Sequence, residues 1–347
     1  MQVTPREKRV EFELIRAIAI LCVVYIHAAS VVVNNFAKVA PVPWFFLTYL
    51  DAVIRWCVPV FVMVSGSLLL QKSEPHLSFV KRRLGRIGLP LLIWLPLYWL
   101  AVALFSPPLP SWKELWISVV YEQPYIHMYF LFVMVQLAVL TPWLRSVVRS
   151  LTRRSLALLI ILFLYIGMAY QPHTKFVLFL FIPYLGYYLY GFFAKDLTLR
   201  TRRNKLIGLA AIALTAVVMV LVQYGLIQGS LQFRGLTKPT EVVAYLSPFV
   251  VLMSVLAFPL LNDPAVLRRF TRVFATKWIT SVGECSFGIY LIHPILQLAL
   301  IRFFPNLFSH QLSNPISTTL GLTVGLFMTS WGIAWLIKRT AKLRWLL

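Results

Sequence analysis

The chain alternates between long apolar runs and short polar clusters that are mostly basic. Ten of the apolar runs approach or exceed the ~20 residues that a helix needs to cross a hydrocarbon core. They lie near residues 14–33, 45–70, 87–105, 127–144, 155–170, 176–194, 206–227, 242–261, 283–304 and 315–337. Because the runs are continuous, with no period-two alternation, they predict helices. The predicted fold is all-α: a polytopic bundle of about ten transmembrane helices in one membrane-embedded domain, 1–347, with no separate soluble domain.

Composition excludes the soluble classes. Hydrophobic residues make up 60% and charged residues 13% of the 347 residues, whereas soluble domains have about 45–50% and about 25%. So few charges cannot cover a water-exposed surface, which excludes both soluble globular and disordered chains. The three cysteines lie inside apolar runs, so we expect neither a disulfide framework nor a zinc site.

The distribution of positive charge predicts the orientation of the chain. The net charge is +22, from 33 Lys and Arg against 11 Asp and Glu. With the N-terminus inside and alternating spans, 25 of these cations fall in inside segments, 5 in outside segments and 3 in spans. This asymmetry predicts that both termini are cytoplasmic. Because the cations cluster in short loops, we expect contact with membrane lipids and no nucleic-acid partner.

The first predicted span carries two ionisable residues on one face. Arg16 and His27 are 11 residues apart, which at about 100° per residue is about 20° past three full turns. Ionisable groups within a span are costly, so each is a functional candidate. The alternatives are that Arg16 reaches the inner headgroups and that His27 is a packing histidine.

The second span carries Asp51 and Arg55, whose spacing of four residues allows an ion pair within the helix. In one interpretation the two charges neutralise each other near the outer interface. In the other, Arg55 points into a polar cavity beside His27. Pro59 follows and can kink the helix where a cavity must open.

Two later spans carry histidines. We expect His127 at the outer edge of the fourth span, level with His27, and His293 near the middle of the ninth span, after Tyr290. A structural role, with hydrogen bonds to neighbouring helices, is the alternative for both histidines.

The loop before the third span is densely basic. Arg82, Arg83 and Arg86 lie in it, and the last two can share one helical face. Guanidinium groups bind phosphates by bidentate hydrogen bonds, so this loop is a candidate phosphate site. The alternative is charge that only sets topology and contacts anionic lipids. We find no glycine-rich phosphate loop, metal-ligand cluster or nucleophilic serine motif, so we expect no NTP hydrolysis and no bound metal.

These segments, in this order, resemble the acyltransferase-3 family of integral membrane acyltransferases. Arg16 and His27 resemble the family's first-helix signature, and Arg83-Leu84-Gly85-Arg86 resembles its cytoplasmic arginine motif. Residues 55–66 and 127–131 are similar to the branch that includes the enterobacterial common antigen O-acetyltransferase, and residues 286–294 resemble the late segment of the family. The resemblance spans roughly residues 10–300.

The resemblance implies an acyl-CoA-dependent O-acyltransferase in the bacterial cytoplasmic (inner) membrane. The donor is acyl-CoA, most often acetyl-CoA, and the acceptor is a hydroxyl of a glycan or lipid-linked sugar. It implies catalytic roles for His27 (the general base), Arg16, Arg55 and His127, coenzyme binding by Arg82, Arg83 and Arg86, and substrate binding by Asp51, Tyr290 and His293.

The alternative function is an exporter or flippase of a polysaccharide or another anionic substrate, since buried Arg and His would suit that as well. We expect the loops at 106–126 and 228–241 to shape acceptor choice. They contain Trp112, Trp116 and Phe233, whose rings can stack on sugars or can belong to an ordinary interfacial belt.

Overall fold

A computed structural model describes residues 5–105, 111–117, 120, 125, 127–170, 177–197, 199, 201–231, 238–263 and 276–347, without the side chains of residues 5–9, 112, 115, 170 and 276. Throughout these residues the regular structure is helical and no strand is present. The all-α prediction is therefore confirmed.

Fifteen α-helices lie in the described residues. They are α1 (Pro5–Val33), α2 (Pro41–Val53), α3 (Cys57–Leu69), α4 (His76–Arg83), α5 (Leu89–Phe105), α6 (Trp112–Ile117), α7 (Tyr129–Ser150), α8 (Arg153–Tyr170), α9 (Leu185–Phe193), α10 (Arg202–Ile227), α11 (Pro239–Val242), α12 (Pro248–Leu261), α13 (Thr276–Phe303), α14 (Pro305–Ser313) and α15 (Pro315–Arg339). Short 3₁₀ helices cover Phe36–Lys38, Val177–Phe179, Ile182–Tyr184 and Arg344–Leu346, and a π-helical turn covers Leu84–Gly88.

Seven helical segments of the described chain are long and apolar enough to cross a membrane. They are Val10–Val33, Pro41–Leu69, His76–Phe105, Tyr129–Ser150, Arg202–Ile227, Lys277–Phe303 and Pro315–Arg339. Of the other predicted spans, the fifth is covered by α8, and the sixth and eighth contain the shorter apolar helices Val177–Phe193 and Pro248–Leu261. The count of ten and the cytoplasmic placement of the termini stay predictions.

The second predicted span is two helices. Helix α2 ends at Val53, and α3 begins at Cys57 after a turn. Pro59 therefore lies in the first turn of α3, where a backbone N–H would lack an intrahelical acceptor in any case. The break precedes the proline that we expected to cause it, and it places Arg55 in the turn.

The described chain groups into two compact units. The first unit comprises Met1–Phe61, Ala194–Ser286 and Phe304–Thr329, and the second comprises Val62–Phe193, Phe287–Phe303 and Ser330–Leu347. The prediction of a single domain over 1–347 stays a prediction.

In the first unit, α1, α2, α10 and α12 pack around one hydrophobic core. The indole of Trp44 is completely buried, and its Nε1 donates a hydrogen bond to the Val33 carbonyl at 3.2 Å. Gln311 of α14 is also fully buried and donates to the Ala28 carbonyl at 2.8 Å. These bonds attach α2 and α14 to the half of α1 that carries His27.

In the second unit, two glycines allow α3 and α9 to touch through their backbones. A Cβ atom on Gly66 would collide with the Tyr188 carbonyl, and one on Gly191 would collide with the Met63 carbonyl. Small residues at such crossings give close helix packing where lipid supplies no hydrophobic driving force.

Candidate active site

On α1, Arg16 has a counterion one turn earlier. Its Nη1 lies 2.9 Å from Oε1 of Glu13, which is buried, whereas 32% of the Arg16 side chain is exposed. Helix α1 is continuous from Pro5 to Val33, so Arg16 and the half-buried His27 share the face that their spacing predicted. The charge of Arg16 is therefore balanced on the helix itself.

Asp51 and Arg55 form the ion pair that their spacing predicted. Oδ2 of Asp51 accepts a hydrogen bond from Arg55 Nε at 2.8 Å and lies 2.7 Å from Nη2. Asp51 is completely buried, and the Arg55 guanidinium also lies 5.9 Å from the centre of the Tyr245 ring. The pair is thus held between α2, the turn after it and the segment after α11.

The first unit brings this pair together with His27. The Arg55 guanidinium is within electrostatic range of the His27 imidazole. The ion pair of the first interpretation is therefore present, and the polar cavity beside His27 of the second interpretation stays a prediction. The second carboxylate oxygen of Asp51, Oδ1, is buried without a hydrogen-bond partner among the described residues.

The second unit contains a buried cluster of rings, which we call the aromatic–histidine cluster: Tyr98, Tyr125, His127, Tyr290 and His293. The His127 ring centre lies 4.7 Å from that of Tyr98, 5.4 Å from Tyr125, 5.0 Å from Tyr290 and 6.2 Å from His293. The candidate His127 thus meets the candidates Tyr290 and His293, which lie more than 160 positions later in the chain.

Hydrogen bonds to carbonyls fix three members of this cluster. The Tyr290 hydroxyl donates to the His127 carbonyl, and the Tyr98 hydroxyl donates to the Leu291 carbonyl at 2.6 Å. Nδ1 of His293 bonds the Ile289 carbonyl at 2.8 Å, one turn earlier on α13. Sequence reasoning missed Tyr98 and Tyr125, because neither carries a charge that marks it within an apolar run.

The predicted phosphate site is a pocket of about 250 Å³ in the second unit, which we call the cationic pocket. It is lined by Lys72, Glu74, Arg82, Arg83 and Arg86. All three predicted arginines line it. Sequence reasoning missed Lys72 and Glu74, although their place in the same segment between spans as the arginines was a signal.

The π-helical turn Leu84–Gly88 shapes one side of this pocket. Arg83 ends α4, and Arg86 lies within the turn. Arg83 and Arg86 therefore do not lie in one regular α-helical turn, and both line the pocket. Single π turns inside helices are frequent at functional sites.

Two arginines of α7 attach the segment that carries Lys72 and Glu74. Arg145 is 3% exposed, and its Nε donates to the Leu69 carbonyl at 3.0 Å. Its guanidinium lies over the Phe79 ring, with 4.2 Å to the ring centre. Arg149 donates to the Lys72 carbonyl at 3.2 Å. Arg145 thus supports the pocket from more than 70 residues away in sequence.

The pKa of Lys72 is lowered in this pocket. Partial burial, and then the positive charges of Arg83 and Arg82 and of their neighbours, lower the pKa of the Lys72 ammonium below its usual 10.5. Because the cations in the pocket repel one another, the binding of an anion there is electrostatically favourable.

Two of the three loop aromatics lie outside the described side chains, namely Trp112 and Phe233. Trp116 in α6 is 71% exposed. The prediction that these loops shape acceptor choice stays untested.

The family model described as "Acyltransferase domain" (acyltransferase-3) matches residues 9–337. No curated protein and no solved structure matches the chain. The match lends no support to the exporter alternative, and the resemblance to one branch of the family stays a prediction.

Proposed function

Because this chain belongs to the acyltransferase-3 family, which is matched over residues 9–337, and is a multi-pass membrane protein, we propose that it is an acyl-CoA-dependent O-acyltransferase. It transfers an acyl group, in our proposal acetyl, from the coenzyme thioester to a hydroxyl of a glycan or lipid-linked sugar. The observation that carries the choice of donor is the cationic pocket.

The cationic pocket suits the phosphates of coenzyme A. Its lining has four cations and one carboxylate, which leaves a net charge of +3. Arg82, Arg83 and Arg86 offer planar donor pairs that match phosphate oxygens, while Lys72 adds a point charge. A polyanion also relieves the repulsion among these cations. The large excess of positive charge predicted inside supports a cytoplasmic location for this pocket.

His27 is the general base in this proposal. A neutral imidazole has a ring nitrogen that can accept the proton of a sugar hydroxyl. As the proton moves to His27, the hydroxyl oxygen attacks the thioester carbonyl. The tetrahedral intermediate then collapses, the carbon–sulfur bond breaks, and the coenzyme thiolate takes the proton from the imidazolium.

The developing oxyanion needs a positive or donating group close to it. One candidate for this oxyanion-stabilising group is Arg55, which is supported by its electrostatic interaction with His27. His127 is the other candidate. Arg16 orients the reacting groups on the same face of α1. For the acceptor, Asp51 is supported by its unpartnered oxygen Oδ1, which can accept a hydrogen bond from a sugar hydroxyl.

Tyr290 and His293 are the remaining acceptor-binding candidates. They belong to the buried aromatic–histidine cluster, and polar side chains inside a membrane are costly unless they serve a function. We place the protein in the bacterial cytoplasmic membrane with both termini inside, which is supported by the distribution of its basic residues.

The test measures binding and thiol release separately. Purified protein in nanodiscs is titrated with acetyl-CoA, and slow hydrolysis is followed as free thiol without an added acceptor. We expect Arg83→Ala to weaken binding by about tenfold or more, the usual loss for a charge-assisted phosphate contact. Arg153→Ala is the matched control, since this α8 arginine lies over the Phe193 ring and does not line the pocket.

His27→Gln separates chemistry from binding. It should abolish thiol release, because the general base is removed. The affinity for acetyl-CoA should stay within about twofold of wild type, because the contacts of the pocket with the coenzyme phosphates are unchanged. Absence of acetyl-CoA binding by folded wild-type protein would refute the proposal, and so would an equal loss in Arg83→Ala and Arg153→Ala.

A further inference from the structure

One acidic side chain lies among the cations of the pocket. Glu74 lines the cationic pocket, and its carboxylate contacts two arginines of different character. Oε2 pairs with Nη2 of Arg82, and Oε1 lies 3.5 Å from Nη2 of Arg145. An anion therefore already occupies part of the space where a ligand phosphate would be bound.

The two arginines differ in how firmly they are held. Arg145 is buried and is also held by its bond to the Leu69 carbonyl and by the Phe79 ring, and neither contact involves Glu74. In contrast, 59% of the Arg82 side chain is exposed. Arg82 donates a hydrogen bond to Glu74, which lies eight residues earlier in the chain. A solvated ion pair of this kind is weak, whereas removal of the buried arginine's partner is costly. The Arg82 side of the carboxylate is the side that can exchange.

Given the coenzyme site proposed above, on which this rests, we propose that Glu74 is an internal counter-anion of the cationic pocket. Without ligand, its carboxylate holds Arg82 and reduces the net positive charge. When the coenzyme binds, a phosphate replaces the carboxylate on Arg82, while Arg145 keeps Glu74 in place. Glu74 then lies beside the bound phosphate and repels it.

This arrangement speeds product release. Coenzyme A must leave after every transfer, and a pocket of unopposed cations would hold a polyanion tightly. Glu74 lowers the affinity for coenzyme A and offers Arg82 a partner as the coenzyme leaves. It therefore sets the affinity of the binding step. It takes no part in the chemistry at the thioester.

The experiment compares coenzyme A binding to wild type, Glu74→Gln and Glu74→Asp in nanodiscs, with dissociation rates from stopped-flow displacement. Glu74→Gln keeps the size of the side chain and removes its charge. We expect about tenfold tighter binding, mainly through slower dissociation, because a competing ion pair and a like charge are both removed. Glu74→Asp keeps the charge but shortens the reach to Arg82, and we expect about threefold tighter binding.

Asp263→Asn is the matched control. Asp263 pairs with Lys205 at 2.9 Å and does not line the pocket, so its neutralisation makes the same change in net charge elsewhere. It should leave coenzyme affinity within about twofold, because the substitution removes no side chain that lines the pocket. Thermal unfolding midpoints confirm that each variant is folded.

The outcomes separate this inference from the proposed function. If wild type binds coenzyme A but Glu74→Gln binds equally or more weakly, the counter-anion role is wrong and the coenzyme site stands. If folded wild type does not bind coenzyme A, both are wrong. Should Glu74→Gln fail to fold, Glu74→Asp decides: binding no tighter than wild type overturns the role of Glu74.

Discussion

Neutralising either member of the Asp51–Arg55 pair should destabilise the protein far more than neutralising both. Arg55→Gln leaves the Asp51 carboxylate buried without its cation, and Asp51→Asn leaves the guanidinium with the Tyr245 ring alone among these contacts. The double variant places two neutral amides side by side, and these can hydrogen-bond each other. The comparison separates the structural contribution of the pair from any catalytic contribution of its charge.

The geometry sets the magnitude. Arg55 approaches Oδ2 at 2.8 Å through Nε and at 2.7 Å through Nη2, and Asp51 is 0% exposed. With charge centres about 4 Å apart and an effective dielectric constant of about 20, the attraction is about 4 kcal/mol. Breaking a buried pair on one side typically costs about 3–5 kcal/mol. We therefore expect each single variant to lose about 3 kcal/mol and the double variant to lose about 1–2 kcal/mol.

The assay is reversible unfolding in mixed micelles, arranged as a double-mutant cycle, with thiol release from acetyl-CoA measured on the same samples. These expected losses correspond to an interaction free energy of about 4–5 kcal/mol between the two positions. If the charge of Arg55 also acts on the reaction, the double variant regains stability but not activity.

Two results would refute this reasoning. An interaction free energy below about 0.5 kcal/mol would mean that the pair is solvated and contributes no more than a surface ion pair. Wild-type thiol release by the double variant would show that the Arg55 charge is not used in catalysis, which leaves His127 as the oxyanion candidate.

Three further outcomes follow from the packing and from the pocket. Gly66→Ala should destabilise the protein by about 1–3 kcal/mol or more in thermal unfolding, because the added Cβ collides with a backbone carbonyl. Gly321→Ala is the control and should not destabilise the protein, because no atom lies near the added carbon. Gln311→Met should cost about 1–3 kcal/mol by the same measurement, since the fully buried amide that bonds the Ala28 carbonyl is removed. Coenzyme affinity should fall as the pH rises, and the fall should begin below pH 10.5, because the lowered pKa of Lys72 lets its ammonium lose a proton below the usual value. In Lys72→Arg the side chain stays charged, so this part of the decline should be absent. The same pH profile in wild type and Lys72→Arg would contradict the role of the lysine.

Sequence alone predicted what depends on neighbours along one helix. The apolar runs predicted helices because each run is long enough to satisfy its own backbone within a membrane, and every run contains helix in the described residues. The spacing of Asp51 and Arg55 predicted their ion pair for the same local reason. The basic run before α5 predicted a phosphate site, and its three arginines line one pocket.

Local regularity also caused the errors. We expected the break in the second span at Pro59, and a regular α-helical face shared by Arg83 and Arg86. The structure has a turn before α3 and a π turn at Leu84–Gly88. A few backbone angles decide such breaks, and hydrophobic periodicity does not report them.

Tertiary structure alone decided which distant residues meet. Tyr98, His127 and Tyr290 form one cluster although they lie on three segments far apart in the chain. Arg145 supports the segment that carries Glu74, and its Nη2 lies 3.5 Å from the Glu74 carboxylate. The sequence determined the helices and their charges because both are set within a few turns. The partners of those charges depend on how the helices pack, which a single sequence does not encode in any local pattern.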